Sequence, residues 1–281
     1  MIVSAPITPT VVSKVTSMDN QFQKMLADFR DTLSQWRLWL HLGWNDIATQ
    51  YRRSFLGPLW ITLSTGIFII AFGVLGAQLF GFDVINFLPY FSVGFIFFTF
   101  LSTLITDACD AFQGSSAYLK HQAFPRMIVV LRIIVRNLVM LGHNLIILVA
   151  VLFWAGLIGQ TQWLYWLLGF FLTLIAAVFA VAIVAIVAAR FRDVPMMVRS
   201  IMQITFFLTP VFWQVDQVTD RVRFLIGFNP FAVFLELLRS PLLGHAPSGS
   251  AIVSALIVIC ILFLIFLPVF WATRRRLVHW V

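Results

Sequence analysis

Five stretches of the chain are almost continuously apolar: Leu59 to Phe80, Phe87 to Ile105, Asn137 to Ile158, Trp163 to Ala189 and Ala251 to Trp271. A helix rises ~1.5 Å per residue, so each stretch can cross the ~30 Å hydrocarbon core of a bilayer. The runs lack the alternation that strands of a membrane barrel would show. A sixth stretch, Ile201 to Trp213, is short and contains Pro210, so length alone leaves it between a short span and a re-entrant segment. The basic residues decide. If this stretch crosses, sixteen of the 19 Lys and Arg fall on one side and only Arg221, Arg223 and Arg239 on the other, the asymmetry expected of cytoplasmic loops. With five crossings the Arg274 to Arg276 cluster would lie outside. The pattern therefore predicts an all-α integral membrane protein with six transmembrane helices and both termini cytoplasmic.

Ahead of the first span, Phe22, Met25, Leu26, Phe29, Leu33, Trp36 and Leu40 recur at helical spacing, while Lys24, Asp28, Arg30, Asp31, Gln35 and Arg37 take the other face. This predicts an amphipathic helix over residues 22–48, lying in the membrane interface with Trp36, Trp39 and Trp44 at headgroup level; a soluble helix packed on a partner is the alternative. Residues 1–21 have no signal-peptide core and read as a flexible cytoplasmic N-terminus. Between the last two stretches, Gln214 to Ser250 keeps an apolar run from Phe224 to Leu243, interrupted by Asn229, Pro230, Glu236, Arg239 and Pro241. Two short re-entrant helices dipping into the outer leaflet fit this pattern, with Glu236 paired to Arg239 one turn away.

Composition adds little to the class and much to what is excluded. Of 281 residues, 61% are hydrophobic and 11% charged, with a mean hydropathy of +0.96, which rules out a water-soluble domain. The net charge of +8 fits cytoplasmic loops and contact with anionic membrane lipids better than nucleic acid. Cys109 and Cys260 have no CxxC spacing and read as packing residues. His41, His121, His143, His245 and His279 are scattered, so no metal site is expected. Asp107 and Asp110 can meet Arg132 and Arg136 at a span end. His143, deeper, reads as an interhelical hydrogen-bonding group rather than a proton relay. Glu236 is the only Glu, no carboxylate pair stands out, and there is no GxxxxGK[ST] loop. No catalytic residue and no bound cofactor are expected, and any energy from nucleotide must come through another subunit.

Several motifs then carry a resemblance. Asp46-Ile-Ala-Thr-Gln-Tyr51-Arg52-Arg53-Ser-Phe-Leu-Gly57-Pro-Leu-Trp60 resembles the opening of the first span in permease subunits of polysaccharide ABC exporters, a type-2 ABC permease family that moves O-antigen, capsule or teichoic acid chains. In order, Leu119 to Arg126, Ala189 to Pro195 followed by Thr209-Pro210, Asn229-Pro230-Phe231 with Leu242-Leu243-Gly244, and Arg274 to Trp280 resemble further segments of that family. The likeness runs from about Trp36 to Val281.

The resemblance implies a channel-forming permease in a bacterial inner membrane, spanning residues 49–273 with a basic cytoplasmic tail at 274–281. It implies a homodimer with two copies of a separate ABC ATPase, which would bind ATP and Mg. In the cytoplasmic segment 108–126, Lys120, His121, Phe124, Pro125 and Arg126 would dock into the ATPase. Tyr51, Arg52, Arg53 and Gly57 would lie at the cytoplasmic entrance, where guanidinium groups can hold a lipid pyrophosphate or simply anchor anionic lipid. Arg190, Arg192 and Asp193 would form the turn after the fourth span, with Asp193 capping the next helix. Asn229, Pro230, Glu236 and Arg239 would belong to the periplasmic gate. Aromatic rings in a wide channel would suit a sliding glycan, in the way stacked bases slide along single-strand channels. Two other functions stay open on sequence grounds: a type-2 exporter of a small drug or lipid, and a membrane-embedded transferase.

Overall fold

The computed structural model describes residues 23, 25–52, 54–57, 59–116, 124–273 and 276–280, excluding the side chains of residues 216, 220, 225, 278 and 279. Among them every regular element is helical. Residues 25–34 form a helix that turns at Gln35 and continues as α1 (Trp36–Gln50). The rest are α2 (Leu59–Phe80), α3 (Val84–Ala108), α4 (Arg126–Trp154), α5 (Trp163–Arg190), α6 (Val194–Leu208), α7 (Asp220–Ile226), α8 (Pro230–Leu242), α9 (Gly249–Thr273) and α10 (Leu277–Trp280). Five of them, α2, α3, α4, α5 and α9, are long and apolar enough to cross a membrane, and α6 is a shorter apolar helix.

α3 is the hub. It packs on α2, α4, α5, α6 and α8, and Phe87, Phe91, Phe97 and Leu104 along it are essentially fully buried. α8 is embedded rather than superficial. Its first residue, Pro230, shares an apolar cavity of about 230 Å³ with Leu104 of α3, Met202 of α6 and Leu262 of α9. At its other end the Pro241 carbonyl accepts from Gln162 N at 2.9 Å, just before α5. α6 runs beside α3 over a long stretch: Arg199 is 3.7 Å from Asp110 at one end of α3. Near the other, Tyr90 Oη donates to the Trp213 carbonyl at 2.9 Å.

Four sequence expectations change. The third span starts at Arg126 rather than Asn137, because Arg132 and Arg136 do not end the helix; both are neutralised by carboxylates from other elements. Asp28, assigned to a solvated face, is 2% exposed, and its Oδ1 accepts from Met127 N at 3.4 Å, serving one of the unpaired amides at the start of α4. Asp193 stands at the N-cap position of α6 but its side chain makes no capping bond. His143 Nδ1 lies 2.8 Å from the Val139 carbonyl of its own helix, so the interhelical bond here is made by its backbone carbonyl, accepting from Thr62 Oγ1 at 3.4 Å. The Met25 to Leu40 face otherwise behaves as an amphipathic surface. Met25 is buried and Phe29 packs edge-on against Phe266 at 5.9 Å, while Leu33, Trp36 and Trp44 are exposed.

Candidate functional site

At the Asp107 end of α3, four charged side chains from three helices, with Asp110 from the turn after α3, meet around a polar cavity of about 440 Å³. Arg132 of α4 grips Asp46 of α1 with both arms of its guanidinium, Nε to Oδ2 at 2.7 Å and Nη2 to Oδ1 at 2.5 Å. This fork geometry only Arg provides. One turn on, Arg136 pairs with Asp107 at 2.6 Å, and Asn137 Nδ2 donates to the same carboxylate at 2.8 Å. α1, α3 and α4 are thereby tied together where they leave the apolar core. Of the residues expected at an entrance, Tyr51 is half-buried, and burial raises its phenol, opposed by the positive charge of Arg136. Arg52 is exposed, and Gly57 turns the chain toward α2 with a φ of +57°. Arg53 lies outside the described residues.

The segment expected to meet an ATPase is described only in part. Lys120 and His121 lie outside the described residues, Phe124 and Pro125 precede α4, and Arg126 is the first residue of α4. Pro125 sits in extended backbone, with φ −63° and ψ 125°, as a breaker before α4. Arg126 Nη1 is 3.9 Å from Asp28. Close by, Arg190 stacks on the Trp280 ring at 5.4 Å, and Arg190, Arg192 and Trp280 line a cleft of about 710 Å³.

Cys109, also at this end, is buried. Burial pushes its thiol up to about 11, with the Asp110 carboxylate adding to the shift and Arg199 opposing it. The thiol is therefore neutral and unreactive at neutral pH. N-ethylmaleimide should leave Cys109 unlabelled in the native protein and label it after denaturation, as read by peptide mass spectrometry. Native labelling at the rate of a free thiol would contradict this packing.

An aromatic array occupies the middle of the molecule. Phe68 and Phe72 of α2 meet Phe95 and Phe91 of α3, each at 4.6 Å between ring centres. Phe98 meets Phe206 of α6 at 5.3 Å, and Phe206 meets Phe212 at 5.6 Å. Phe68, Phe80 and Phe207 are 42%, 40% and 65% exposed, so the array is open along α2 and α6. Composition could not have singled these rings out, since helical spacing serves lipid-facing and channel-facing positions alike.

Midway along α3, where Phe231 meets Phe98 at 5.9 Å, Asn229 joins two elements: its Oδ1 accepts from Phe231 N at 3.0 Å, capping α8, and its Nδ2 donates to Thr209 Oγ1 at 2.9 Å, just after α6. The expected Glu236–Arg239 pair does not form. Glu236 Oε1 instead accepts from Ser248 Oγ at 2.6 Å, at the start of α9. Arg239 lies over the Tyr90 ring, 3.9 Å from its centre, and Nη2 donates to the Val211 carbonyl at 3.4 Å. Both partners are distant in sequence, which is why a local i to i+3 reading missed them.

The chain is thus a bundle of apolar helices with a charged cluster at one end of α3 and an embedded helix, α8, packed along it. Residues 37–243 of this chain match the ABC-2 type transporter family. The chain belongs to that family. It is an ABC-2 type membrane permease. It is 24% identical over 252 residues to the O-antigen export system permease protein RfbA of Myxococcus xanthus, covering 87% of this chain and 95% of that one. A Klebsiella pneumoniae protein of the same description is 23% identical over 192 residues, covering 66% and 73%, and a second from that organism is 20% identical over the same length. The family match ends just past α8, so it takes in α1, the charged cluster and the embedded helix together.

Proposed function

We propose that the chain is the channel-forming subunit of an ATP-driven exporter that moves a lipid-linked polysaccharide across the bacterial cytoplasmic membrane. It would work as a homodimer with two copies of a separate ATPase that binds ATP and Mg. The observation that carries the reading is the Phe array over α2, α3 and α6, open along one side, in a permease whose relatives are O-antigen export permeases. Stacked rings offer sugars an apolar track that asks for no fixed pattern of hydrogen bonds, so a chain can slide along it. A second copy facing that side would close the track into a channel.

The topology that goes with this function has six crossings. Phe29 packs on Phe266 and Phe270 near the end of α9, and Trp280 packs on Arg190 at the end of α5. These contacts bring both ends of the described chain together, which supports an even number of crossings. α6 with Thr209 to Trp213 supplies the sixth, matching α3 from Asp110 to Tyr90. By the distribution of basic residues that shared side is cytoplasmic, and α7 and α8 become the re-entrant gate with Asn229 and Pro230 at its tip.

In this arrangement the substrate's pyrophosphate enters beside Tyr51, Arg52 and Arg53, and the ATPase docks on the segment 108–126. Deleting the gene tests the function: the surface glycan should disappear while lipid-linked polymer accumulates in the cytoplasm. Loss of both pools would point to a transferase, and no change in either to an exporter of a small drug or lipid.

A further inference from the structure

The cavity at the Pro230 end of α8 is apolar and dry. Of the residues that line it, Thr173 alone is polar, and its hydroxyl donates to the Gly169 carbonyl at 2.7 Å. Water there would find no partner, whereas an apolar cavity of about 150 Å³ already admits a benzene-sized guest, and this one has about 230 Å³. In a bundle of membrane-spanning helices the guest at hand is hydrocarbon. The cavity continues as a groove. On its α5 face Thr173, Ala176 and Ala177 are buried; helical spacing carries that face on through Ala180, Val184 and Val187, half-buried, to Phe191, exposed. Val198 and Pro195, half-buried, extend the α6 face from buried Met202 in the same direction. Arg190 and Arg192 stand at the open end. Ten residues separate Ala180 from Arg190 and Met202 from Arg192, about 15 Å at the helical rise, and one leaflet of the hydrocarbon core is as deep. Among the described residues neither guanidinium has a carboxylate within ion-pair distance. Arg190 lies over the Phe191 and Trp280 rings, and both arginines line the open cleft with Trp280.

We propose that cleft, groove and cavity form one binding site for an anionic membrane phospholipid, its phosphate held at Arg190 and Arg192 and one acyl chain running between α5 and α6 to the tip of α8. Guanidinium forks match phosphate oxygens, and the Trp280 indole suits headgroup depth. The charges alone would take any acidic group and the groove alone any hydrocarbon; set one leaflet apart, they select a lipid. The site needs only the membrane setting and is independent of what the permease exports.

The test places the purified full-length protein in phosphatidylcholine nanodiscs carrying a small fraction of phosphatidylglycerol with a diazirine near the end of one acyl chain, and maps the photoadducts by peptide mass spectrometry. Adducts should form on Met202 and Thr173 in the cavity as well as on Leu264, on the exposed face of α9. Phosphatidylcholine bearing the same chain should label Leu264 equally and the cavity about fivefold less. Arg190→Gln with Arg192→Gln should abolish the preference for phosphatidylglycerol, and Ala180→Phe, which fills the groove, should abolish the cavity adducts of both lipids; the Tm of each variant shows whether it is folded. Cavity labelling that is absent, or equal for the two headgroups, overturns the site without recourse to any variant. So does a preference that survives the double arginine change in a folded protein. A polyprenyl phosphate that displaced phosphatidylglycerol from the cavity at equal concentration would overturn the assignment to a membrane phospholipid. Because no transport is measured, this site and the exporter reading fail separately.

Discussion

Arg132→Glu should reduce export at least tenfold and destabilise the purified protein by roughly 2–3 kcal/mol, since breaking a mostly buried, doubly bonded ion pair leaves one charge without its partner. The Arg132 and Asp46 side chains are only 19% and 16% exposed, so water does little to screen the loss. The substitution also sets a second carboxylate against Asp46, forcing α1 away from α4, against which it packs. Asp46→Arg alone should behave in the same way, and the exchanged pair Asp46→Arg with Arg132→Glu should recover most of the stability. Surface glycan and Tm are the readouts. If the double exchange were no better than either single change, the pair would not be what holds α1 to the bundle.

Gly169→Ala should be nearly as damaging, although it adds one methyl group to a helix. A β-carbon at Gly169 would stand 2.6 Å from the Leu237 carbonyl and 3.1 Å from the Leu237 Cβ of α8. A backbone carbonyl cannot rotate out of the way, so α8 must shift as a body. Overpacking of this kind costs roughly 1–3 kcal/mol, and export should fall about tenfold because α8 is displaced along its contact with α5. Gly142→Ala is the matched control: nothing lies within 4 Å of its β-carbon, and alanine is the better helix former by about 1 kcal/mol, so that variant should be neutral or slightly more stable. Wild-type export and stability in Gly169→Ala would show that α8 does not sit tightly on α5.

The spans were legible in the sequence because hydrocarbon demands long unbroken apolar runs, and α2 begins and ends at Leu59 and Phe80, as the pattern predicts. The beginning of α4 was not, because Arg132 and Arg136 interrupt an apolar run in sequence, whereas in three dimensions carboxylates 86 and 30 residues distant in the chain neutralise Arg132 (Asp46) and help hold Asn137 beside Arg136 (Asp107). Asp28 shows the same limit from the other side. Helical spacing put it on a wet face, but its burial depends on the Met127 amide, which no local pattern reveals. Charges were therefore read correctly as a class and, for Arg136 with Asp107, as a pair, while Asp28, Arg132 and Arg239 found tertiary partners that local spacing does not reveal. The same holds at α8. Asn229 was recognisable from its Asn-Pro pair, whereas the partners of Glu236 and Arg239 come from Ser248, Tyr90 and Val211 rather than from each other. The aromatic array was invisible for a different reason: 30 Phe in one chain leave too many equivalent candidates until contacts select among them.

The central claim is that this permease passes a lipid-linked glycan through a channel when a partner ATPase hydrolyses ATP. The most direct measurement places the chain and its ATPase in proteoliposomes with lipid-linked glycan on the ATPase side and follows the appearance of glycan on the opposite face. ATP-dependent transfer that requires both subunits, and that slows when Phe68 and Phe95 are replaced by alanine, is the predicted result. Transfer of the lipid carrier alone, with the glycan-bearing form left behind, would contradict the account.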